Sequence, residues 1–289
     1  MLKLSILSLL ILFLLFPYGS LKSAPQSSER YKVSRPFYLR IDEKQETEMA
    51  DRWAKDIEAK QGLLGDSQID DYLDNIGQRL AKVSQRPGLK YSFKAIKSFD
   101  RPGIAAFTVG GGRIYVLISF LRDVPSEAAL AFTIGHEIGH NAGYHLPLQM
   151  QRRMFLDKIV SEVALLAGRI GESDWEKLVR EYSDKASYLL LLEFSREDEK
   201  EADLLGVGNA FDAGWDPTAA LLWTRTGSRT IMQVIDDLNK QHPSPEESYQ
   251  YLSQEIKTLD KKKGLINTSQ EFMQMKQRLK ELSSFTRSK

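Results

Sequence analysis

The stretch Gly135-His136-Glu137-Ile138-Gly139-His140-Asn141-Ala142-Gly143-Tyr144-His145 holds three of the chain's four histidines. Its segment His136-Glu137-x-x-His140 matches the zinc-hydrolase helix motif, in which residues i and i+4 share one helix face and offer two imidazoles to one metal ion. Glu137 follows the first of them and is predicted to face a metal-bound water as the catalytic base. The pattern therefore predicts a catalytic Zn²⁺ held by His136 and His140.

The residues around the motif distinguish it from a chance match on a surface helix. Seven nearby positions are small or apolar: Ala128, Ala129, Leu130, Ala131, Phe132, Ile134 and Ile138. Histidine and glutamate in so apolar a helix would be costly to bury without partners. A bound metal supplies such a partner, so the context strengthens the metal-site prediction.

Length and composition limit the classes of protein to which this chain can belong. The chain has 289 residues, of which 42% are hydrophobic and 27% charged, which is ordinary for a globular protein with one sizeable domain. The net charge of +1 gives no general argument for binding nucleic acid. Because the chain has no cysteine, a disulfide framework and a thiolate metal site are both excluded.

The N-terminus differs from the rest of the chain. Lys3 precedes an almost wholly apolar run from Leu4 to Phe16, and Pro17 and small residues follow. This is typical of a secretory signal peptide, and the run is short for a membrane span. We predict a signal peptide over residues 1–24 and export to a bacterial periplasm or cell envelope, with an uncleaved anchor as the alternative. Membrane association stays open, but no later apolar run is long enough to span a bilayer.

Periodicity predicts the organisation of the remaining chain. Residues 25–44 are polar and are expected to form a linker or extended arm, and residues 45–289 a single domain with a helical C-terminal part. Helical spacing predicts helices over about 45–60, 67–84, 146–192, 195–214 and much of the last 45 residues, besides the motif helix. Strands are predicted near 89–96, 105–109 and 113–117. Ser126 and Asp216 are predicted to cap helix N-termini.

Two histidines leave a catalytic zinc one protein ligand short, because such sites use three and keep one position open. Five acidic residues on one later helix are candidates for the third: Glu197, Asp198, Glu199, Glu201 and Asp203. Spacing alone does not choose among them. Glu199 and Asp203 share a face, which suits a ligand followed by a carboxylate that orients a zinc-bound imidazole. A solvated, salt-bridging helix face is the alternative interpretation.

Four stretches together resemble the gluzincin metallopeptidases of family forty-eight, which include the HtpX-type, CAAX prenyl and Oma-type proteases and the periplasmic BepA-type enzymes. They are residues 106–116, residues 136–145, the Glu-x-x-Ala-Asp signature within residues 195–203, and His242-Pro243. The chain looks most similar to the soluble periplasmic BepA-type members. The resemblance implies an α+β fold, namely a mostly helical zincin-like domain with a small β-sheet beside the active-site helix, and one Zn²⁺ per chain.

The resemblance also assigns roles to individual residues. It implies Glu199 as the third zinc ligand, with Asp203 behind it. The family pattern also includes a histidine at His145. Because His145 lies five residues after His140, off the ligand face of the helix, we expect it to be a structural residue or a partner of a ligand. His242 is implied as a cap on the zinc that keeps the enzyme latent, or as an oxyanion stabiliser once displaced, and a structural loop histidine is the alternative. Relatives often carry an arginine after His-Pro where this chain has Ser248.

The expected function is that of a zinc-dependent endopeptidase of the cell envelope that degrades unfolded or misassembled proteins. Substrate would lie extended along the strand that contains Gly111, Gly112, Ile114 and Val116, as an added strand. The expected partners are polypeptides and not nucleic acid. A latent or non-proteolytic assembly factor for envelope proteins is the alternative, and a zinc hydrolase acting on another kind of bond is a weaker one.

Overall fold

The computed structural model describes residues 31–99, 104–166, 194–225 and 243–287. The chain divides into two units, residues 1–32 and 33–289, and all the elements named here lie in the second. Its helices are α1 (Glu43–Gln61), α2 (Ser67–Val83), α3 (Ile118–Asp123), α4 (Glu127–Ala142), α5 (His145–Leu166), α6 (Arg196–Asp212), α7 (Ala220–Arg225), α8 (Pro245–Thr258) and α9 (Gln270–Arg287). Its strands are β1 (Ser92–Ile96), β2 (Ala106–Thr108) and β3 (Arg113–Leu117). The expected α+β fold, mostly helical with a small sheet, is confirmed.

The three strands form one mixed sheet in the order β1-β3-β2. The central strand β3 runs parallel to β1, with Phe93 opposite Ile114, and antiparallel to β2, with Phe107 opposite Tyr115. The loop Gly110–Gly112 joins β2 to β3, and all three of its residues have positive φ, a conformation that glycine adopts without steric cost.

The sheet order corrects one prediction from the sequence. We expected substrate to pair with the strand of Ile114 and Val116, but these residues lie on β3, whose backbone is already paired on both sides. Both side chains are also fully buried. An added strand needs an unpaired edge, so this prediction is wrong. Of these two paired strands, β2 is the one that lies at an edge of the sheet.

The helices that were predicted from periodicity surround this sheet. The apolar stripe of α2, from Ile69 to Leu80, is buried against the sheet and α4, and Phe272, Met275 and Leu279 of α9 join the same core cluster. The predicted caps are confirmed, since the side chains of Ser126 and Asp216 accept hydrogen bonds from the first turns that follow them. The last helical stripe therefore packs back on the domain, as its spacing indicated.

Two boundaries differ from the sequence prediction. Helix α1 begins at Glu43, two residues early, because Asp42 forms a capping box with Gln45. In the segment expected to be an arm, Leu39 and Ile41 are buried in a cluster with Phe194 and the start of α5. Helix α5 covers the first part of the predicted helical stretch 146–192, and residues 167–193 lie outside the described part of the chain. No helix within the described ranges combines the length and apolar character that crossing a bilayer requires.

Helices α4 and α6 approach each other at backbone contact. A Cβ atom built on Gly139 would lie 2.9 Å from the Cα atom of Ala202, and one built on Gly206 would lie 2.9 Å from the backbone nitrogen of His136. Gly135 faces Gly206 in the same way, at 3.0 Å from its carbonyl oxygen. Hydrogen at these positions lets the two helix axes come closer than any side chain would allow. This contact decides which residues of α4 and α6 can meet.

We predict that Gly139→Ala separates α4 from α6. The new methyl group meets backbone atoms that cannot rotate away, so the free energy of unfolding should fall by about 1–3 kcal/mol, a typical cost of overpacking. Gly88→Ala is the matched control, because nothing lies within 4 Å of its added Cβ. Urea unfolding curves of both variants measure the difference. Equal midpoints for the two variants would contradict the proposed tight contact.

Candidate metal centre

The contact between α4 and α6 brings together side chains that the sequence places far apart. His136 and His140 lie one turn apart on α4, and Glu199 lies on the first turn of α6. The Nε2 atoms of the two imidazoles are 3.0 Å apart. Glu199 places one carboxylate oxygen 3.5 Å from the Nε2 atom of His136 and the other 3.7 Å from that of His140.

These distances match what a small tetrahedral ion requires. Donors held at about 2.1 Å from such an ion are about 3.4 Å from one another, and the three separations scatter around that value. Within the described part of the chain, His136, His140 and Glu199 are the one group of three metal-binding side chains whose donor atoms converge in this way. The donor set, two imidazoles and one carboxylate, therefore fits a metal ion both in geometry and in chemistry.

The site is largely shielded from water. His140 is 1% exposed and Glu199 7%, whereas the side chain of His136 retains 18% exposure. Burial disfavours the charged imidazole of His136, but hydrogen bonds and charges from Asp203 and Glu199 outweigh burial and raise its pKa well above the ordinary value. The carboxylates of Asp203 and Glu199 therefore stabilise a positive charge between α4 and α6.

The first imidazole is oriented from behind by a carboxylate. The Nδ1 atom of His136 lies 2.8 Å from Oδ1 of Asp203, one turn beyond Glu199 on α6. With Nδ1 protonated, the imidazole donates to Asp203 and presents a bare Nε2 lone pair to the metal position. Asp203 thus contacts His136 behind its candidate donor atom, and the predicted roles of Glu199 and Asp203 stay predictions.

The second imidazole is oriented by a histidine instead. Helix α4 ends at Ala142, and Tyr144 takes a positive φ of 57°, so His145 begins α5 and its ring turns back toward the site. Its Nδ1 atom lies 2.9 Å from Nδ1 of His140, and its Nε2 atom lies 3.3 Å from a carboxylate oxygen of Glu201. When His140 offers Nε2 to a metal, its Nδ1–H donates to His145, which in turn donates to Glu201. Phe194 stacks on His140, with ring centroids 3.8 Å apart.

The sequence argument excluded His145 as a ligand because it lies five residues after His140 on one helix. The structure gives a different reason, since the two residues are on different helices. His145 is buried and lies against Nδ1 of His140, on the side away from the candidate donor Nε2. Its supporting role stays a prediction.

Glu137 lies beside the ligand set in a buried position, 7% exposed. Burial raises the pKa of its carboxyl to about 7, with a further upward contribution from the charge of Glu199. The charge of His136 and a hydrogen bond from the backbone of Thr108 act in the opposite direction. A carboxyl poised near neutrality can both accept and return a proton.

The hydrogen bond from Thr108 places the outer edge of β2 next to Glu137. On either side of β2, Ala105 accepts from Leu117 and Val109 donates to Arg113, so the backbone groups of the odd-numbered residues face β3. By the alternation of antiparallel pairing, the backbone groups of Ala106 and Thr108 point away from β3. The edge that an added strand would need is thus adjacent to the candidate base.

Sequence reasoning missed a buried network that fixes this edge. Glu46 of α1 accepts from the backbone N–H of Gly111 at 3.2 Å and pairs with Arg86 at 3.0 Å. Arg86 also donates to the carbonyl of Asn141, whose side chain accepts from Gly112 and donates to Thr108. Nothing in the spacing of Glu46 and Arg86 signals this contact, because it joins three elements distant in sequence.

Two residues that follow α7 in the chain, His242 and Tyr251, bear on the site. His242 lies outside the described residues, so its predicted roles as zinc cap, oxyanion stabiliser or loop histidine stay predictions. Tyr251 of α8 was missed, although its hydroxyl donates to Oδ2 of Asp203. The replacement of a frequent arginine by Ser248 was the one available signal, because Ser248 contacts that same hydroxyl at 3.1 Å.

Comparison with known proteins identifies similar sequences. The profile of Peptidase family M48 matches residues 67–256. The beta-barrel assembly-enhancing protease of Escherichia coli K12 is 25% identical over 186 residues, which cover 61% of this chain and 36% of that protein. The mitochondrial metalloendopeptidase OMA1 of Arabidopsis thaliana is 26% identical over 203 residues, covering 70% of this chain and 38% of that protein. The chain thus spans well under half the length of these relatives.

We propose His136, His140 and Glu199 as the metal ligands, and we expect Glu199→Gln to lower zinc affinity by more than about 100-fold. Loss of an outer hydrogen-bond partner costs about 10–100-fold, and a direct anionic ligand contributes more. Glu197→Gln is the control, because Glu197 is exposed on the same turn of α6. Competition with a chelating dye measures both affinities. A larger loss in Glu197→Gln would overturn the assignment.

Proposed function

The chain belongs to peptidase family M48, and from this premise we propose that it is a zinc-dependent endopeptidase. Its metal would be held by His136, His140 and Glu199, and Glu137 would act as the base. One observation carries the proposal above the others: three metal-binding donors converge at tetrahedral spacing directly beside a buried carboxyl. A binding protein without catalytic activity would have no use for that carboxyl.

Zinc is the metal that this donor set favours. Two imidazoles and one carboxylate leave one coordination position open, as in catalytic zinc sites, and the chain offers no thiolate to favour a structural one. A bound zinc ion would polarise a water molecule and a substrate carbonyl. Asp203 and His145 would keep the two imidazoles in the tautomer that binds the ion.

Glu137 would move the protons of the reaction. It would accept a proton from the attacking water and pass it to the leaving amine, and each step requires a carboxyl that changes its protonation state near neutral pH. Its backbone bond from Thr108 would hold it between the ligands and the edge of β2. Substrate, base and metal position would then share one side of α4.

For the substrate, we propose the outer edge of β2 in place of β3. A polypeptide in extended conformation would pair with the outward-facing backbone groups of Ala106 and with the carbonyl of Thr108 as an added strand. Such binding uses main-chain hydrogen bonds, so it selects extended chains more than particular side chains. Unfolded or misassembled proteins meet that requirement, whereas folded proteins do not.

We place this activity in the bacterial cell envelope, most simply the periplasm. The apolar N-terminal segment, the absence of cysteine and the similarity to a protease named for beta-barrel assembly support that location. Envelope proteins that fail to assemble would be the natural substrates.

Casein degradation tests the proposed enzyme directly. We expect the zinc-loaded chain without residues 1–24 to degrade casein, and Glu137→Gln to reduce the rate by at least about 100-fold while zinc content stays at one per chain. In producing cells, Glu137→Gln should let misassembled proteins accumulate in the envelope fraction. Full activity of Glu137→Gln would reject the base. Inactivity of a wild-type chain that has bound zinc would contradict a general protease.

Backbone methylation of a cleaved peptide tests the substrate edge. Once a cleavage site in casein is known, we expect N-methyl groups at alternate residues on one side of it to block cleavage. The residues between them should tolerate the methyl group, because their N–H groups face away from β2. Cleavage rates of peptides that each carry one N-methyl group show whether the block alternates from residue to residue. Uniform tolerance would rule out strand addition.

A further inference from the structure

Helix α8 contributes one polar group to the metal centre. The hydroxyl of Tyr251 donates a hydrogen bond to Oδ2 of Asp203, while Oδ1 of the same carboxylate lies 2.8 Å from Nδ1 of His136. The two oxygens of Asp203 therefore have separate partners, one on α4 and one on α8. A carboxylate held at both oxygens cannot rotate without losing one of these bonds.

The directions of these bonds follow from the number of protons available. The phenol of Tyr251 has one proton, and the ionised carboxylate of Asp203 can only accept, so that proton is committed to Asp203. The hydroxyl of Ser248, 3.1 Å away, must then be the donor to the oxygen of Tyr251. The bonds run in one direction, from Ser248 through Tyr251 to Asp203.

The backbone that carries Tyr251 is fixed to both helices of the metal centre. Leu252 is fully buried in a cluster with Phe132 of α4 and Val207 of α6. The ammonium group of Lys200 lies 5.2 Å from the centre of the Tyr251 ring and restrains it from the side of α6. Tyr251 thus has a defined position relative to the carboxylate that it contacts.

We propose, on the basis of the proposed zinc site, that Tyr251 is a positioning residue that acts on the metal through Asp203 and His136. Its hydroxyl fixes the plane of the Asp203 carboxylate, and the carboxylate fixes the ring of His136. Ser248 contacts that hydroxyl and supports it from within α8. In this chain a serine–tyrosine pair thus holds the carboxylate.

The geometry assigns positioning and not catalysis to Tyr251. Its hydroxyl reaches Asp203 on the Nδ1 side of His136, whereas the proposed metal position lies on the Nε2 side of that ring. Tyr251 therefore touches neither the reacting atoms nor the metal.

Zinc affinity provides the test, because it is independent of cleavage. We expect Tyr251→Phe to weaken zinc binding by about 10-fold, the lower end of what outer partners of metal ligands contribute. Tyr249→Phe, which removes the same hydroxyl from an exposed position on α8, should leave the affinity within about twofold. Ser248→Ala should weaken binding less than Tyr251→Phe does. Thermal melting of the metal-free proteins verifies that each variant is folded.

A double-mutant cycle distinguishes positioning from a general effect on packing. If Tyr251 acts through Asp203, Tyr251→Phe should change zinc affinity by less than about twofold in an Asp203→Asn background. Equal losses in both backgrounds would overturn the proposal, and so would an unchanged affinity of Tyr251→Phe itself. If His136→Ala retains wild-type zinc affinity, the zinc site and the proposed function fail instead.

Discussion

The backbone contact between α4 and α6 is the constraint on which the rest of the structure depends. Helix α4 carries two of the three proposed donors and α6 carries the third, so the set is complete only when the helices meet. Gly139 and Gly206 let the helices approach until a Cβ atom would collide with backbone. The sheet, α2 and α8 then pack around this pair, and the ligand separations follow from how close its two members lie.

The same contact explains why the two imidazoles are supported differently. His136 faces α6 and finds Asp203 there, one turn from Glu199. His140 lies near the end of α4, and the reversal at Tyr144 brings His145 to its Nδ1 atom. Burying these polar groups is acceptable because each has a partner. The support on one side is a carboxylate and on the other begins with an imidazole ring.

The sequence predicted what depends on local spacing and did not predict what depends on tertiary contact. The i, i+4 histidines, the capped N-terminus of α4 and the apolar stripe of α2 follow from helical periodicity, and all appear as expected. Strand order does not follow from periodicity. The sequence therefore placed substrate on β3, although β2 is the strand of this pair that lies at an edge of the sheet. The Glu46–Arg86–Asn141 network and the hydroxyl of Tyr251 join elements far apart in the chain, and no spacing rule reaches them. The choice of Glu199 among five acidic residues likewise came from resemblance, whereas its position opposite both imidazoles is a matter of packing.

The division of the site between α4 and α6 also bears on when activity can arise during synthesis. His136 and Asp203 are 67 positions apart, and contacts of such long range form late, after the intervening chain is available. A ribosome-bound fragment that ends before α6 carries the motif histidines without a complete ligand set. Completion of the proposed metal site therefore waits until the chain has been made as far as α6.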